Sequence, residues 1–255
     1  MSAQNQKRVT RKERRAQRQS NNNGGEAVKE KFNFTLKKIV PLTENQENTF
    51  ESYEDGQHIL MMGTAGTGKT FLSIYLGMRD IMENKTQEKL VIVRSVVPTR
   101  DMGFLPGNNK EKGKVYEAPY YSIFSEIFGR GDAYEYLKTR NIVEFMTTSF
   151  VRGITINDSV IVVDEFQNMT ANELHSVFTR IGKNCRVVFA GDIKQNDINS
   201  RKEESGFKDF FKVIDRMDDF DVIEFNRNDI VRSELVKSYI IVREELEERG
   251  IISSL

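Results

Sequence analysis

The sequence predicts an α/β fold in which a mostly parallel central sheet lies between two layers of helices. From about Lys31 onward, short aliphatic runs alternate with amphipathic segments, which is typical of strands and helices that follow one another. Several of these runs are aliphatic at successive positions, as expected for strands buried on both faces. The predicted fold class is therefore a three-layer sandwich around a parallel sheet.

The aliphatic runs are predicted to be strands and the amphipathic stretches to be helices. The predicted strands are 58–62, 89–94, 142–147, 159–163, 186–190 and 221–225. The predicted helices are 43–53, 69–83, 119–139 with an interruption near Gly129, 171–181, 205–217 and 232–248. The polar segment 98–119, rich in Gly, Pro and Lys, is predicted to be a long connection, and long connections are typically functional or mobile.

The chain divides into a basic arm and one domain. Its 255 residues are 38% hydrophobic, which is enough for an ordinary core, and residues 31–255 are predicted to form a single domain. Residues 1–20 carry seven basic residues and one acid, a net charge of +6 in a chain whose total is zero. We expect residues 1–30 to be disordered and to contact nucleic-acid phosphates. A tail that only improves solubility is the alternative.

Composition also excludes several classes of protein. No stretch approaches about 18 consecutive apolar residues, and the first residues are polar and basic. We therefore expect neither a membrane span nor a secretion signal, and a cytoplasmic location. The single cysteine, Cys185, cannot form an internal disulfide, and two histidines are too few for a zinc cluster.

The stretch HILMMGTAGTGKTFL at residues 58–72 predicts a phosphate-binding loop. Gly63, Gly68, Lys69 and Thr70 fit the pattern G-x-x-x-x-G-K-[ST], in which backbone N–H groups surround a phosphate at the start of a helix. A turn without a ligand is the alternative, but the strand before it and the helix after it favour a site. Lys69 is expected to reach the β and γ phosphates of ATP, and the Thr70 hydroxyl to bind Mg²⁺. The predicted nucleotide contacts in this loop are Gly63, Thr64, Ala65, Gly66, Thr67, Gly68, Lys69, Thr70 and Phe71.

A second motif, VIVVDE at residues 160–165, follows the loop by about three strand-helix units. Asp164 is predicted to bind Mg²⁺, and Glu165 to orient and deprotonate the attacking water. Two acids could instead be the polar end of a turn. Their place after a strand and downstream of the phosphate loop favours the catalytic interpretation.

Two glutamines have open interpretations. Gln195, in VVFAGDIKQND, could reach the γ-phosphate or its water, or be a surface residue. Gln46, in LTENQ, could bind an adenine edge through its amide, or form a capping box with Thr43 at the start of the next helix.

These motifs together resemble those of the PhoH-like family. The resemblance covers residues 40–245 and is carried, in order, by GTAGTGKT, GFLPGN, FVRGITINDSVIVVDEFQN, FTRIGKNCRVVFAGDIKQND and NDIVRSELV. It implies a RecA-like fold, ATP hydrolysis with Mg²⁺, a ring-shaped homo-oligomer and a link to RNA or single-stranded DNA. Without the arm, roughly 225 residues remain, which is enough for one RecA-like domain, so we expect a hexameric ring with its ATP sites between subunits. The compact size favours a phage-encoded member, whose location would be the host cytoplasm.

The resemblance also assigns roles to individual residues. Gln46 matches the family's adenine-side glutamine, Gln195 its γ-phosphate sensor and Arg232 the arginine of its late motif. It implies the same roles for Lys69, Thr70, Asp164 and Glu165 as the motifs do. One departure is Phe166 in DEFQN, where many relatives have alanine; both acids are unchanged.

Several other residues are candidates for charge stabilisation or ligand contact. Arg232 is the first candidate for an arginine that meets the charge developing on the phosphate, supplied either within its own subunit or by a neighbouring one; an ordinary solvated arginine is the alternative. Arg94, Arg100 and Arg152 lie at predicted strand ends or loops and could bind phosphates. Phe104 could stack on a base, although packing against the body is the commoner use.

Three functions are consistent with this site. The first is an ATP-driven translocase or remodeller of RNA or single-stranded DNA. The second is an ATP-gated assembly protein without motor activity. The third is a small-molecule kinase, which the glutamate beside Asp164 disfavours because it points to water as the phosphoryl acceptor.

Overall fold

The computed structural model describes residues 35–84, 86–95, 109–192 and 201–253. Within these ranges, six strands form one parallel sheet in the order β3-β2-β4-β5-β1-β6. They are β1 (His58–Gly63), β2 (Lys89–Arg94), β3 (Val143–Thr147), β4 (Ser159–Asp164), β5 (Arg186–Ala190) and β6 (Phe220–Phe225). Each agrees with its predicted strand to within one residue, and the α/β fold class is confirmed.

Helices connect these strands. The α-helices are α1 (Glu44–Glu54), α2 (Lys69–Arg79), α3 (Asn109–Phe128), α4 (Ala133–Thr139), α5 (Thr148–Val151), α6 (Ala171–Phe178), α7 (Arg201–Ile214) and α8 (Glu234–Glu248). A π-helical turn, Asp80–Asn84, extends α2, and 3₁₀ turns at Phe166–Asn168 and Arg227–Asp229 follow β4 and β6. The predicted break near Gly129 is confirmed, since α3 ends at Phe128 and Gly129 has a φ of +69°.

The start of α3 is the main error of the sequence prediction. The helix begins at Asn109, ten residues before the predicted start at Pro119, so the end of the predicted connection 98–119 is helical. Proline removes one backbone donor from a helix, which usually marks an end. Here tertiary contacts stabilise the helical turn before Pro119, because the buried Glu117 carboxylate accepts hydrogen bonds from Tyr134 and Lys138 of α4. Residues 98–108 of that connection lie outside the described residues.

The sheet is buried on both faces by two separate hydrophobic clusters. On one face Ile59 and Ile92 pack among side chains of α1 to α4. On the other face Leu60 and Val91 pack with side chains of α6 and α7. Each buried aliphatic side chain stabilises the fold by roughly 1.5–3 kcal/mol. The three-layer arrangement explains why the strands are aliphatic at consecutive positions.

In a parallel sheet all carboxyl ends lie at one edge, and ligands of open α/β sheets bind there. The ends of β1 and β4, which carry the two sequence motifs, are separated only by β5. Both motifs therefore meet at the carboxyl edge. Across the described ranges, every helix is too short or too polar to cross a membrane. The predicted arm, residues 1–30, lies outside the described residues.

Candidate nucleotide site

The phosphate loop begins where β1 is pressed against β6. Gly63 pairs with Phe225 and has a φ of +114°. A Cβ at this position would lie 2.0 Å from the Phe225 carbonyl oxygen, so no side chain fits without moving β6. Gly66 and Gly68 continue the loop with φ values of +75° and +86°. The glycines thus shape a loop of closely curved backbone that leads directly into α2.

Lys69 is folded into this loop. Its Nζ donates to the Gly63 carbonyl at 2.8 Å and the Thr64 carbonyl at 2.7 Å, and contacts Thr67 Oγ1 at 3.4 Å. Lys69 is buried, and burial lowers its pKa, while the carboxylates of Asp192, Glu165 and Asp164 oppose the shift. An ammonium group is therefore held where the curved loop can receive an anion.

Asp164 ends β4 as a fully buried carboxylate with polar partners. The Thr70 hydroxyl donates to Asp164 Oδ1 at 2.8 Å, and the Tyr120 hydroxyl donates to Oδ2 at 2.8 Å. Arg94 Nη1 lies 4.0 Å from Oδ2. Burial raises the pKa of Asp164, and Glu165 adds to that shift, while Arg94, Thr70 and Tyr120 oppose it. Thr70 and Asp164 thus present two hard oxygen donors side by side, the type that Mg²⁺ prefers.

Glu165 is more exposed than the adjacent Asp164. It has a left-handed backbone with a φ of +51°, uncommon for a residue other than glycine, and its side chain is only partly buried. Gln167 Nε2 donates to Glu165 Oε2 at 2.5 Å, and Gln167 Oε1 accepts from the Asp192 backbone N–H at 3.1 Å. Buried Gln167 therefore fixes the glutamate to the end of β5.

These groups line one cavity of about 170 Å³ at the carboxyl edge of the sheet. Its wall consists of residues 65–70, Asp164, Glu165, residues 190–192 and Arg232. Arg232 belongs to the same chain as the loop, and a Cβ on Gly66 would lie 3.0 Å from its Cγ. The Val231 N–H also donates to the Gly66 carbonyl at 3.1 Å. The structure thus places the predicted arginine beside the loop of its own subunit.

Gln46 contacts the loop from α1. Its Nε2 donates to the Thr67 carbonyl at 3.1 Å, and its Oε1 accepts from the Leu42 N–H at 2.8 Å. Thr43 does cap α1, because its hydroxyl accepts from the Gln46 N–H. In a capping box the Gln46 side chain would accept from the Thr43 N–H, but here it accepts from the Leu42 N–H. The cap is therefore half formed, and the amide side chain supports the loop.

Four of the predicted nucleotide contacts do not line the cavity: Gln46, Gly63, Thr64 and Phe71. The carbonyls of Gly63 and Thr64 accept hydrogen bonds from Lys69. Phe71 packs against the hydrophobic cluster that also contains Ile59. Gln195 and Arg100 lie outside the described residues, as does Phe104. Asp192, three residues before Gln195, is buried in the cavity wall.

Sequence reasoning missed Tyr120 and Gln167. Tyr120 lies 44 positions before Asp164 and directly after a proline, and no local pattern predicts the hydrogen bond between them. Gln167 could have been found, because it lies two residues after Glu165 in the quoted DEFQN motif.

The glycine-rich loop lies between a strand and a helix, and two acids follow a strand that is separated from it by one other strand. This arrangement defines the fold and site of a P-loop NTPase. The sequence profile described as PhoH-like protein matches residues 38–243. The chain belongs to the PhoH-like family.

Relatives and solved structures extend this comparison. A PhoH-like protein of Mycobacterium leprae is 30% identical over 216 residues, covering 84% of this chain and 61% of the relative. A PhoH-like protein of Bacillus subtilis is 30% identical over 205 residues, covering 80% and 63%. The chain thus spans about three fifths of these relatives. The large terminase of a thermophilic bacteriophage aligns with a TM-score of 0.45 and 12% identity, covering 78% of this chain and 50% of the terminase, a likeness too distant to bear on function.

Proposed function

We propose that this protein hydrolyses ATP with Mg²⁺ and couples the ATP cycle to RNA or single-stranded DNA. The observation that carries the hydrolytic part is the meeting of Lys69, Thr70, Asp164 and Glu165 at one cavity behind a phosphate loop. In this proposal the loop N–H groups and Lys69 bind the β and γ phosphates. The ammonium would exchange the loop carbonyls for phosphate oxygens.

The Thr70 hydroxyl and the Asp164 carboxylate would hold the metal ion. Their oxygens are 2.8 Å apart and lie beside the loop, and both are ligands suited to Mg²⁺. A bound magnesium ion neutralises charge on the phosphates. Tyr120 supports the second oxygen of Asp164, which fixes the carboxylate orientation.

Glu165 would take the proton of the attacking water. Its partly exposed carboxylate lines the cavity, whereas Asp164 is buried and directed at Thr70. Arg232 would stabilise the charge that develops on the transferred phosphate, and its position supports action within its own subunit. Gln195 remains the predicted γ-phosphate sensor and Gln46 the predicted adenine-side residue.

A water-activating glutamate favours hydrolysis over the kinase alternative. The decisive variant is Glu165→Gln, which keeps the size of the side chain and removes the base. We expect turnover to fall about 100- to 10,000-fold with ATP affinity retained. Glu126→Gln, an exposed acid on α3, is the matched control and should behave as wild type. Full turnover in Glu165→Gln would refute the base assignment.

The nucleic-acid part of the proposal is supported by the charge of residues 1–20. It is tested by ATPase rates with RNA, single-stranded DNA and duplexes, for the full chain and for a chain without residues 1–28. We expect single strands to raise turnover, and deletion of the arm to weaken binding and its salt dependence. If none of the nucleic acids changed the rate, an ATP-gated assembly protein would be the better description.

We also propose a homo-oligomer, with a hexameric ring as the expected form. Its support is the outer face of α8, where Leu235, Val236, Tyr239 and Val242 are all exposed. Apolar side chains grouped in this way typically mark a contact surface. Mass measurement in solution with and without Leu235→Glu tests the contact, and a wild-type monomer at all concentrations would exclude it.

A further inference from the structure

The short helix α5 presents one aromatic side chain to solvent between two anchored residues. Thr148 is buried, and its hydroxyl donates to the Glu173 carboxylate. Val151 is fully buried in the cluster around Leu60. Phe150, between them, is 63% exposed. The backbone of this turn is thus fixed at both ends while a large apolar ring faces water.

Arg152 follows directly and is also exposed. Beyond it, Gly153 has open space around its Cα, since a Cβ there would meet no atom within 4 Å. An accessible ring and an accessible guanidinium two residues apart match the two parts of a nucleotide unit. A base stacks on an aromatic face, and a phosphate pairs with arginine.

This surface lies on the same edge of the sheet as the ATP cavity. Thr147, the last residue of β3, pairs with Arg94, and Arg94 pairs with Asp164. Thr147, directly before α5, therefore lies two strand spacings, about 10 Å, from Asp164 at the end of β4. A ligand on Phe150 would lie beside the nucleotide without entering its cavity.

Glu173 joins the two sites. Its Oε1 accepts from Thr148 and, at 3.2 Å, from Ser95 at the end of β2, while its Oε2 accepts from the Thr170 N–H at 2.9 Å. It belongs to the capping box that starts α6, shortly after Glu165. One carboxylate thus connects α5 to the start of α6, shortly after the proposed catalytic base.

We propose that Phe150 and Arg152 form a binding site for single-stranded nucleic acid, in which a base stacks on the Phe150 ring and a phosphate pairs with Arg152. This inference rests on the proposed nucleic-acid function and gives it a location on the domain. An apolar peptide would not need the guanidinium, and a lipid surface would need an apolar area larger than one ring, so this pair of side chains favours a nucleic acid.

The test measures binding of fluorescent oligo-uridine and oligo-thymidine of about 20 nucleotides to the full chain. Phe150→Ala should weaken binding about tenfold, the loss typical of one stacked base. Phe150→Trp should retain binding, whereas Phe150→Leu, which keeps apolar surface without a ring, should behave as Phe150→Ala. The two oligomers distinguish RNA from DNA as the preferred ligand.

Arg152→Ala should weaken binding of every sequence and reduce the salt slope by about one. Arg216→Ala is the matched control, an exposed arginine between α7 and β6 at the opposite edge of the sheet. Equal binding by the wild type and all Phe150 and Arg152 variants would overturn this site while leaving the proposed function intact. A wild-type chain that bound neither oligomer would refute the nucleic-acid function itself.

Discussion

Two buried cations at opposite edges of the sheet show how the same chemistry serves two purposes. Lys69 at the carboxyl edge is 8% exposed, and Arg186 at the amino edge is 2% exposed. Lys69 lies on a loop that curves around an open cavity. Arg186 donates to the Gln57 carbonyl at 3.2 Å and to the Tyr53 carbonyl, and stacks 4.1 Å from the Tyr53 ring centroid. In the proposed function Lys69 would exchange its partners for phosphate oxygens, whereas Arg186 connects α1 to β5.

Replacement of Lys69 should give the largest loss of ATP turnover with little change in stability. Lys69→Met is expected to reduce ATP turnover about 100- to 1000-fold, because a preorganised cation at the phosphates is lost. The melting temperature should shift by only a few degrees, since removal of a desolvated charge offsets the lost hydrogen bonds. Calorimetry together with a phosphate-release assay checks both parts. A collapse in stability would show that Lys69 is structural.

Arg186→Met should give the opposite pattern. The Gln57 carbonyl would lose the Arg186 donor and the Tyr53 carbonyl would keep only backbone donors, so the free energy of unfolding should fall by roughly 2–4 kcal/mol. ATP turnover per folded molecule, measured well below the melting temperature, should stay within about twofold. Arg249→Met, an exposed arginine, is the control for stability. Loss of turnover at unchanged stability would contradict the division between the two edges.

Two glycines sharpen the comparison, one at the carboxyl edge and one in the turn between α3 and α4. A Cβ on Gly191 would lie 2.4 Å from Gln167 Oε1, whereas a Cβ on Gly131 would meet nothing within 4 Å. The Cβ on Gly191 would also lie 2.8 Å from the Phe166 ring. Gly191→Ala should therefore displace Phe166 and Gln167, and with Gln167 the Glu165 carboxylate, and reduce turnover about 10- to 100-fold with ATP binding retained. Gly131→Ala should be neutral. Equal kinetics in both variants would remove Gln167 as a positioning residue for Glu165.

Two buried tyrosine–aspartate hydrogen bonds give the smallest expected effects. Tyr120 donates to Asp164 and Tyr53 donates to Asp80, each at 2.8 Å. Phenylalanine at either position should reduce the free energy of unfolding by about 1 kcal/mol. Only Tyr120→Phe should raise the magnesium concentration needed for half-maximal turnover, by several-fold. The same magnesium dependence in both variants would exclude a specific role for Tyr120.

The strands could be predicted because burial on both faces leaves a local signal. Runs such as VIVV at residues 160–163 need no knowledge of their neighbours. The phosphate loop and the two acids were predictable for a similar reason, since their chemistry requires fixed residues at fixed spacings. Their catalytic roles stay predictions until turnover is measured.

The remainder depends on contacts between distant parts of the chain. The early start of α3 rests on Glu117 reaching α4, and a proline at residue 119 conceals it. The partner of Gln46 is a loop carbonyl 21 residues away, which neither of its two predicted roles included. The sequence alone leaves open which subunit Arg232 serves, whereas the turn after β6 brings it to its own loop.

That turn has a mechanical consequence. Gly63 packs against the Phe225 backbone, and the Gly66 carbonyl accepts a hydrogen bond from the Val231 N–H. The loop and the segment that carries Arg232 are therefore in contact at two positions. An arginine supplied by a neighbour would report assembly, because its distance to the phosphates would change with every dissociation. In the proposed role within its own subunit, Arg232 would keep the same distance to the loop at any protein concentration. If the proposed oligomer forms, dilution should separate its subunits before it changes the arrangement of the cavity wall.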